Sequence, residues 1–142
     1  MPAPRAAPPR QPQYSPPAPS AAASPRARTT VKTDVLSLVI DSEGASIVQA
    51  DLLAYKDHVK HDGNMRLLDD AKGLEYLAQS GLILSDAQAA APTHRTPMRL
   101  VSKDTELKPG QDKLEVVFES DPVGGLVVVK KYTLERGQYL VH

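Results

Sequence analysis

Residues 30–40 and 45–53 are two β-branched, alternating runs separated by the polar turn Asp41-Ser42-Glu43-Gly44, and this pair limits the fold more than any other stretch. Read with period two, Leu36, Leu38 and Ile40 share one face and Val35, Ser37 and Val39 the other, the pattern of a strand at least half buried. Gly44 can supply the positive φ of a tight reversal, so the chain is expected to return as a second strand, with Ile47, Gln49 and Asp51 opposite Val48, Ala50 and Leu52. The simplest reading is a β-hairpin.

The remaining runs repeat this grammar. Residues 54–63 are polar and aperiodic, a surface loop. Met65-Arg66-Leu67-Leu68 reads as a short strand stopped by Asp69-Asp70. Alternation resumes over 73–82, where Gly73 and Gly81 leave too few residues for a stable helix, so a strand is expected. Residues 85–96 read as a loop, and Pro97 suits a strand start because it has no N–H for a ladder. Lys113-Leu114-Glu115-Val116-Val117-Phe118-Glu119 alternates cleanly, with Leu114, Val116 and Phe118 inward, between turns at 109–112 and 121–125. Residues 126–134 are expected to pair back as one long strand. Val127, Val129 and Thr133 fall on one face and Leu126, Val128, Tyr132 and Leu134 on the other, while Lys130 and Lys131 mark where the strand runs out toward solvent or an edge. A last strand opens at 138–141 and stops at His142, so the natural domain is expected to continue. On that reading the inner faces of Leu114, Val116 and Phe118 and of Val127 and Val129 lack part of their cover. Short strands between Gly, Pro and Asp turns, with no amphipathic helix of three turns, predict an all-β antiparallel sandwich over 29–142.

Composition divides the chain. Residues 1–28 hold nine of the 13 prolines and four arginines with no acid, leaving −4 on residues 29–142 although the whole chain is formally neutral. Such a Pro/Ala-rich segment has too little apolar surface to offset the entropy of ordering, which predicts a disordered, semi-stiff linker. Arg5, Arg10, Arg26 and Arg28 could meet anionic lipid or nucleic acid, but without interleaved aromatics they read as a solvated tether, and no nucleic-acid partner is expected. The absence of cysteine excludes disulfides and thiolate metal sites. No apolar run approaches the roughly 20 residues that cross a bilayer, and no secretory signal core precedes the tail, so the chain is expected to be soluble and to carry no export signal.

Two histidine settings invite chemistry. His58 and His61, three apart and flanked by Asp57 and Asp62, have a spacing that on a helix would present two ligands to a metal, but no helical pattern surrounds them. His94 with Ser85 and Asp86 contains the residue types of a nucleophilic triad, yet nothing in the sequence brings the three together. Both sets are expected to be surface loops. The chain is read as having no catalytic, metal-binding or cofactor-binding residue.

Several motifs together resemble a known family. They are Val31-Lys32-Thr33-Asp34-Val35-Leu36, Tyr76-Leu77-Ala78-Gln79-Ser80-Gly81-Leu82, His94-Arg95-Thr96-Pro97, Leu107 with Gly110-Gln111-Asp112 and Leu114-Glu115-Val116, and Lys131-Tyr132-Thr133-Leu134 with Arg136-Gly137 and Tyr139. In this order they resemble the N-terminal part of the large periplasmic domain of the membrane protein insertase YidC family, over residues 29–142. The resemblance implies a partial β-supersandwich of mutarotase-like shape on the periplasmic side of the Gram-negative inner membrane. It also implies a role in inserting and folding inner-membrane proteins, alone or with the Sec translocon. Family partners would be the Sec translocon, the SecD/SecF accessory proteins and nascent membrane proteins, with membrane anchoring only through helices absent from this chain. The region credited with SecD/SecF association lies mostly near or beyond His142, so no contact residue carries over. Mutarotase-like shape does not transfer activity, and a spacer or interaction role without catalysis is expected. The alternative is an independent carbohydrate- or polymer-binding sandwich. It is disfavoured because the chain has no Trp and a single Phe that alternation points inward.

Overall fold

The computed structural model describes residues 26–59, 63–71, 77–85 and 89–142. The described residues form no helix and seven strands: β1 (Arg28–Lys32), β2 (Leu36–Asp41), β3 (Ser46–Lys56), β4 (Asn64–Leu68), β5 (Met98–Leu100), β6 (Lys113–Ser120) and β7 (Val129–Glu135). They make two antiparallel sheets, β1-β2-β3-β4 and β5-β6-β7. The inner faces share one core in which Val31, Leu36, Leu38 and Ile40 meet Met98, Leu114, Val116, Phe118 and Leu134. The all-β antiparallel sandwich is therefore present, and the β2–β3 hairpin turns at Gly44 with φ +67°.

The single strand expected over 30–40 is instead a hairpin of two. Thr33 breaks it: its Oγ1 accepts from the amides of Val35 (3.3 Å) and Leu36 (3.0 Å), while its own N–H bonds the Leu36 carbonyl at 2.8 Å. A hydroxyl offering the backbone local partners competes with a continuous ladder. The face assignment of β3 also changes. Val39 pairs with Gln49 but Ile40 with Ile47, so Val48 is an extra residue and Ile47 and Ala50 both reach the core. A bulge of this kind adds one residue to one strand and inverts the alternation beyond it.

Further differences arise from tertiary context. β3 runs to Lys56, into the expected loop. Within the run expected at 73–82, residues 73–76 lie outside the described residues; residues 77–82 pair as a ladder only through Ala78, which exchanges backbone bonds of 3.0 and 3.1 Å with Ile47. β7 begins at Val129 rather than 126, and Val129, paired with Glu119, is 57% exposed on the outer face rather than inward. The stretch 138–141 forms a single bridge, Val141 with Leu134, and Thr133 exchanges bonds with His142. The expectation that Leu114, Val116 and Phe118 lack cover is overturned: all three are buried, because the first sheet lies over them.

Two seams fasten the sheets along one side. At one end the β2–β3 turn reaches β5, with Gly44 N–H to Thr96 O at 2.8 Å and Met98 N–H to Ser42 O at 2.7 Å. At the other, residues 105–107 cross from β5 and pair parallel to β1, with Lys32 N–H to Thr105 O at 2.9 Å and Leu107 N–H to Lys32 O at 2.8 Å.

Candidate functional site

The strongest convergence of polar chemistry on the core lies where β7 faces the β2–β3 turn. Phe118 and Tyr132 sit edge to face, with centroids 6.3 Å apart. The Tyr132 hydroxyl crosses the interface to donate to Ala45 O at 2.5 Å. One pleat away, Lys130 Nζ donates to Gly44 O (2.5 Å) and Ser80 O (2.7 Å). Alternation puts Lys130 on the inward face with Tyr132 and Leu134, which corrects its expected place at a fraying strand end; Lys131 is exposed and pairs with Glu115. Burial lowers the Lys130 ammonium below its usual 10.5 and raises the Tyr132 phenol above 10. Nothing local signals this lysine, since its acceptors are carbonyls 50 and 86 residues away in sequence.

Beside Lys130 is a cleft of about 220 Å³ walled by Leu82, Pro92, Met98 and Val128. Its described lining is mostly apolar and contributes one cation, with no carboxylate and no imidazole. Moving a proton on and off a sugar ring oxygen calls for an acid and a base converging on it. This arrangement supplies a lysine already engaged by two carbonyls.

The histidines stand apart from the cleft's chemistry. His94 lies in an exposed turn, and neither its ring nor the Ser85 hydroxyl joins a hydrogen bond among the described residues; Asp86 lies outside them. The His94 backbone, by contrast, is tightly placed: a Cβ on Gly44 would come within 2.0 Å of its carbonyl oxygen, and one on Gly81 within 2.5 Å of its nitrogen. His58 sits in an exposed turn after β3, where Asp57 accepts from the Val59 amide at 2.9 Å. His61 and Asp62 lie outside the described residues, as do Arg5 and Arg10. Among the described residues no three potential ligands gather around a metal position.

Arg26 and Arg28, expected to be solvated tether, make ion pairs. Arg26 meets Glu43, and Arg28 meets Asp70 and, at 3.7 Å, Asp41. Exposed aromatic surface among the described residues comes down to Tyr55 and Tyr139, 53% and 39% exposed, whose centroids are 5.8 Å apart at a 56° tilt. That is a corner rather than the flat platform on which a sugar ring stacks.

Comparison with known proteins adds the wider context. Residues 28–142 match the model of the YidC periplasmic domain family. The Membrane protein insertase YidC of Bordetella petrii is 46% identical over 112 residues, covering 79% of this chain and 19% of that protein. The same-named proteins of Dechloromonas aromatica and Thioalkalivibrio sulfidiphilus are 40% and 36% identical, covering 79% and 82% of this chain. The chain spans about one fifth of the length of these relatives.

Proposed function

The chain belongs to the YidC periplasmic domain family, and on that premise we propose that it serves as a non-catalytic spacer and interaction domain of a membrane protein insertase, on the periplasmic side of the Gram-negative inner membrane. Partners in the whole protein would be the Sec translocon, the SecD/SecF accessory proteins and nascent membrane proteins. The observation that carries the reading is the family match over 28–142, all of the chain but its Pro/Ala-rich start. The cleft beside Lys130 supports the absence of catalysis, since its described lining has one cation and no acid–base pair. Insertion needs no covalent chemistry, only a lower cost for moving polar segments into lipid, and this domain's part is to hold a folded surface where partners meet it.

The test is a domain replacement in the full-length protein, in cells that depend on it. An unrelated β-sandwich of similar size in place of this domain should preserve insertion of Sec-independent substrates and reduce co-purification of SecD and SecF. Undiminished recovery of both would defeat the interaction role. Failure of every substrate to insert would show that the domain takes part in insertion itself.

A further inference from the structure

The polar lining of the cleft beside Lys130 is one-sided in its hydrogen bonding. Its carbonyls are largely engaged: Ser80 O accepts from Lys130, Pro92 O from the Leu82 amide (3.2 Å), Thr96 O from the Gly44 amide (2.8 Å) and Val128 O from the Ser120 amide (2.9 Å). The lining residues Thr93, Thr96 and Ser120 each accept a backbone N–H on the hydroxyl oxygen, from Arg95 (3.2 Å), Thr93 (2.8 Å) and Val128 (2.9 Å). None of the three hydroxyls gives its own hydrogen to an acceptor among the described residues. A hydroxyl in that state has a donor to spare.

Lys130 adds to the same side. An ammonium carries three N–H donors, and Gly44 O and Ser80 O take two of them. No acceptor takes the third, and no carboxylate pairs with the charge, among the described residues. Burial alone, with no opposing charge, holds this ammonium below its usual 10.5. As a strut between the β2–β3 turn and residue 80, a neutral donor would serve as well; a partly buried cation costs free energy until an anion compensates it. Ser80, whose carbonyl holds the ammonium, itself lines the cleft, so the charge lies at the cleft wall.

We propose that the cleft binds a small free carboxylate with a short apolar tail. Its carboxylate takes the third Lys130 N–H and hydroxyl hydrogen from the lining, and its tail lies against Leu82, Pro92, Met98 and Val128. An inorganic anion would match the donors but not these walls, and a neutral apolar molecule would match the walls but leave the charge uncompensated. The volume of about 220 Å³ is below the about 300–1,000 Å³ of sites that enclose larger ligands, which sets the size of the tail. The inference does not rest on the insertase reading.

The probe is hexanoate, titrated into the 142-residue chain while the methyl resonances of Leu82, Met98 and Val128 are followed by NMR. All three should shift together and saturate. Hexanamide, which keeps the tail and loses the charge, should bind about tenfold more weakly, the worth of a charged hydrogen bond. Acetate, which keeps the charge and loses four methylenes, should also bind about tenfold or more weakly, and hexylammonium should not bind. Lys130→Met should erase the preference for hexanoate over hexanamide. If that variant fails to fold, the four ligands on the parent chain decide alone. No saturable shift with hexanoate, or equal affinity for hexanoate and hexanamide or hexylammonium, would overturn the proposal. So would N-acetyl-Ala-Ala-leucine binding more than about tenfold tighter than hexanoate, by showing that the cleft is fitted to a chain end rather than a free acid.

Discussion

At the residue scale, the informative side chains are those that reach across the sandwich. Tyr132→Phe keeps the packing on Phe118 but removes the bond to Ala45 O, and should cost about 1 kcal/mol in urea melts. It should also change the alkaline limb. The raised phenol pKa means the native state holds its proton longer than the unfolded chain does, so this contribution is intact below pH 10 and is lost as pH climbs toward the folded value. Tyr132→Phe should flatten that loss. Lys130 has the opposite sign. Its pKa is lowered, so the unfolded chain holds the proton longer, and the Lys130 contribution becomes more favourable as pH rises through the lowered value toward 10.5. In Lys130→Met that rise should vanish from the stability–pH curve, while stability at neutral pH falls by about 1–2 kcal/mol because the buried Gly44 carbonyl loses a donor. His94→Ala removes an exposed ring and should stay within about 0.5 kcal/mol of the parent by thermal melting.

At the element scale, the β2–β3 turn concentrates the constraints. Gly44 has φ +67° and its missing Cβ leaves room for the His94 carbonyl, whereas Gly110 has φ +83° with open space around it. Gly44→Ala should therefore cost more than about 3 kcal/mol and Gly110→Ala only about 1–2, because the second carries backbone strain alone. Equal losses in urea melts would show that the turn yields to the clash. The same elements mark how far the sequence could be read. Leu36, Leu38 and Ile40, and Leu114, Val116 and Phe118, were legible because alternation is a local property of a strand with one face on a core. The Thr33 turn and the Val48 bulge were not: each replaces one local pattern with another that has the same apolar content. Lys130 was misplaced because a lysine in a β-branched run reads as an edge signal until its carbonyl partners are known.

At the scale of the whole molecule, the two sheets close a common core from residues within 31–134. A cooperative, monomeric urea transition is therefore expected for the 142-residue chain, with native-state sedimentation as a single small species. Dye binding with a broad, non-cooperative melt would instead mean that the core needs cover from outside these residues. Within each sheet every named strand pairs with its neighbour in sequence. The links between sheets are few and distant, such as Lys130 to Gly44 and Tyr132 to Ala45, which lie 86 and 87 residues apart. Short loops close at small entropic cost and long ones only after much of the chain is already ordered. The two meanders can thus assemble independently, and their docking becomes the late kinetic step. Tyr132→Phe, which touches only that docking, should accelerate unfolding and leave the refolding rate nearly unchanged. The seam that makes the sandwich one body is then also what sets how long it lasts once formed.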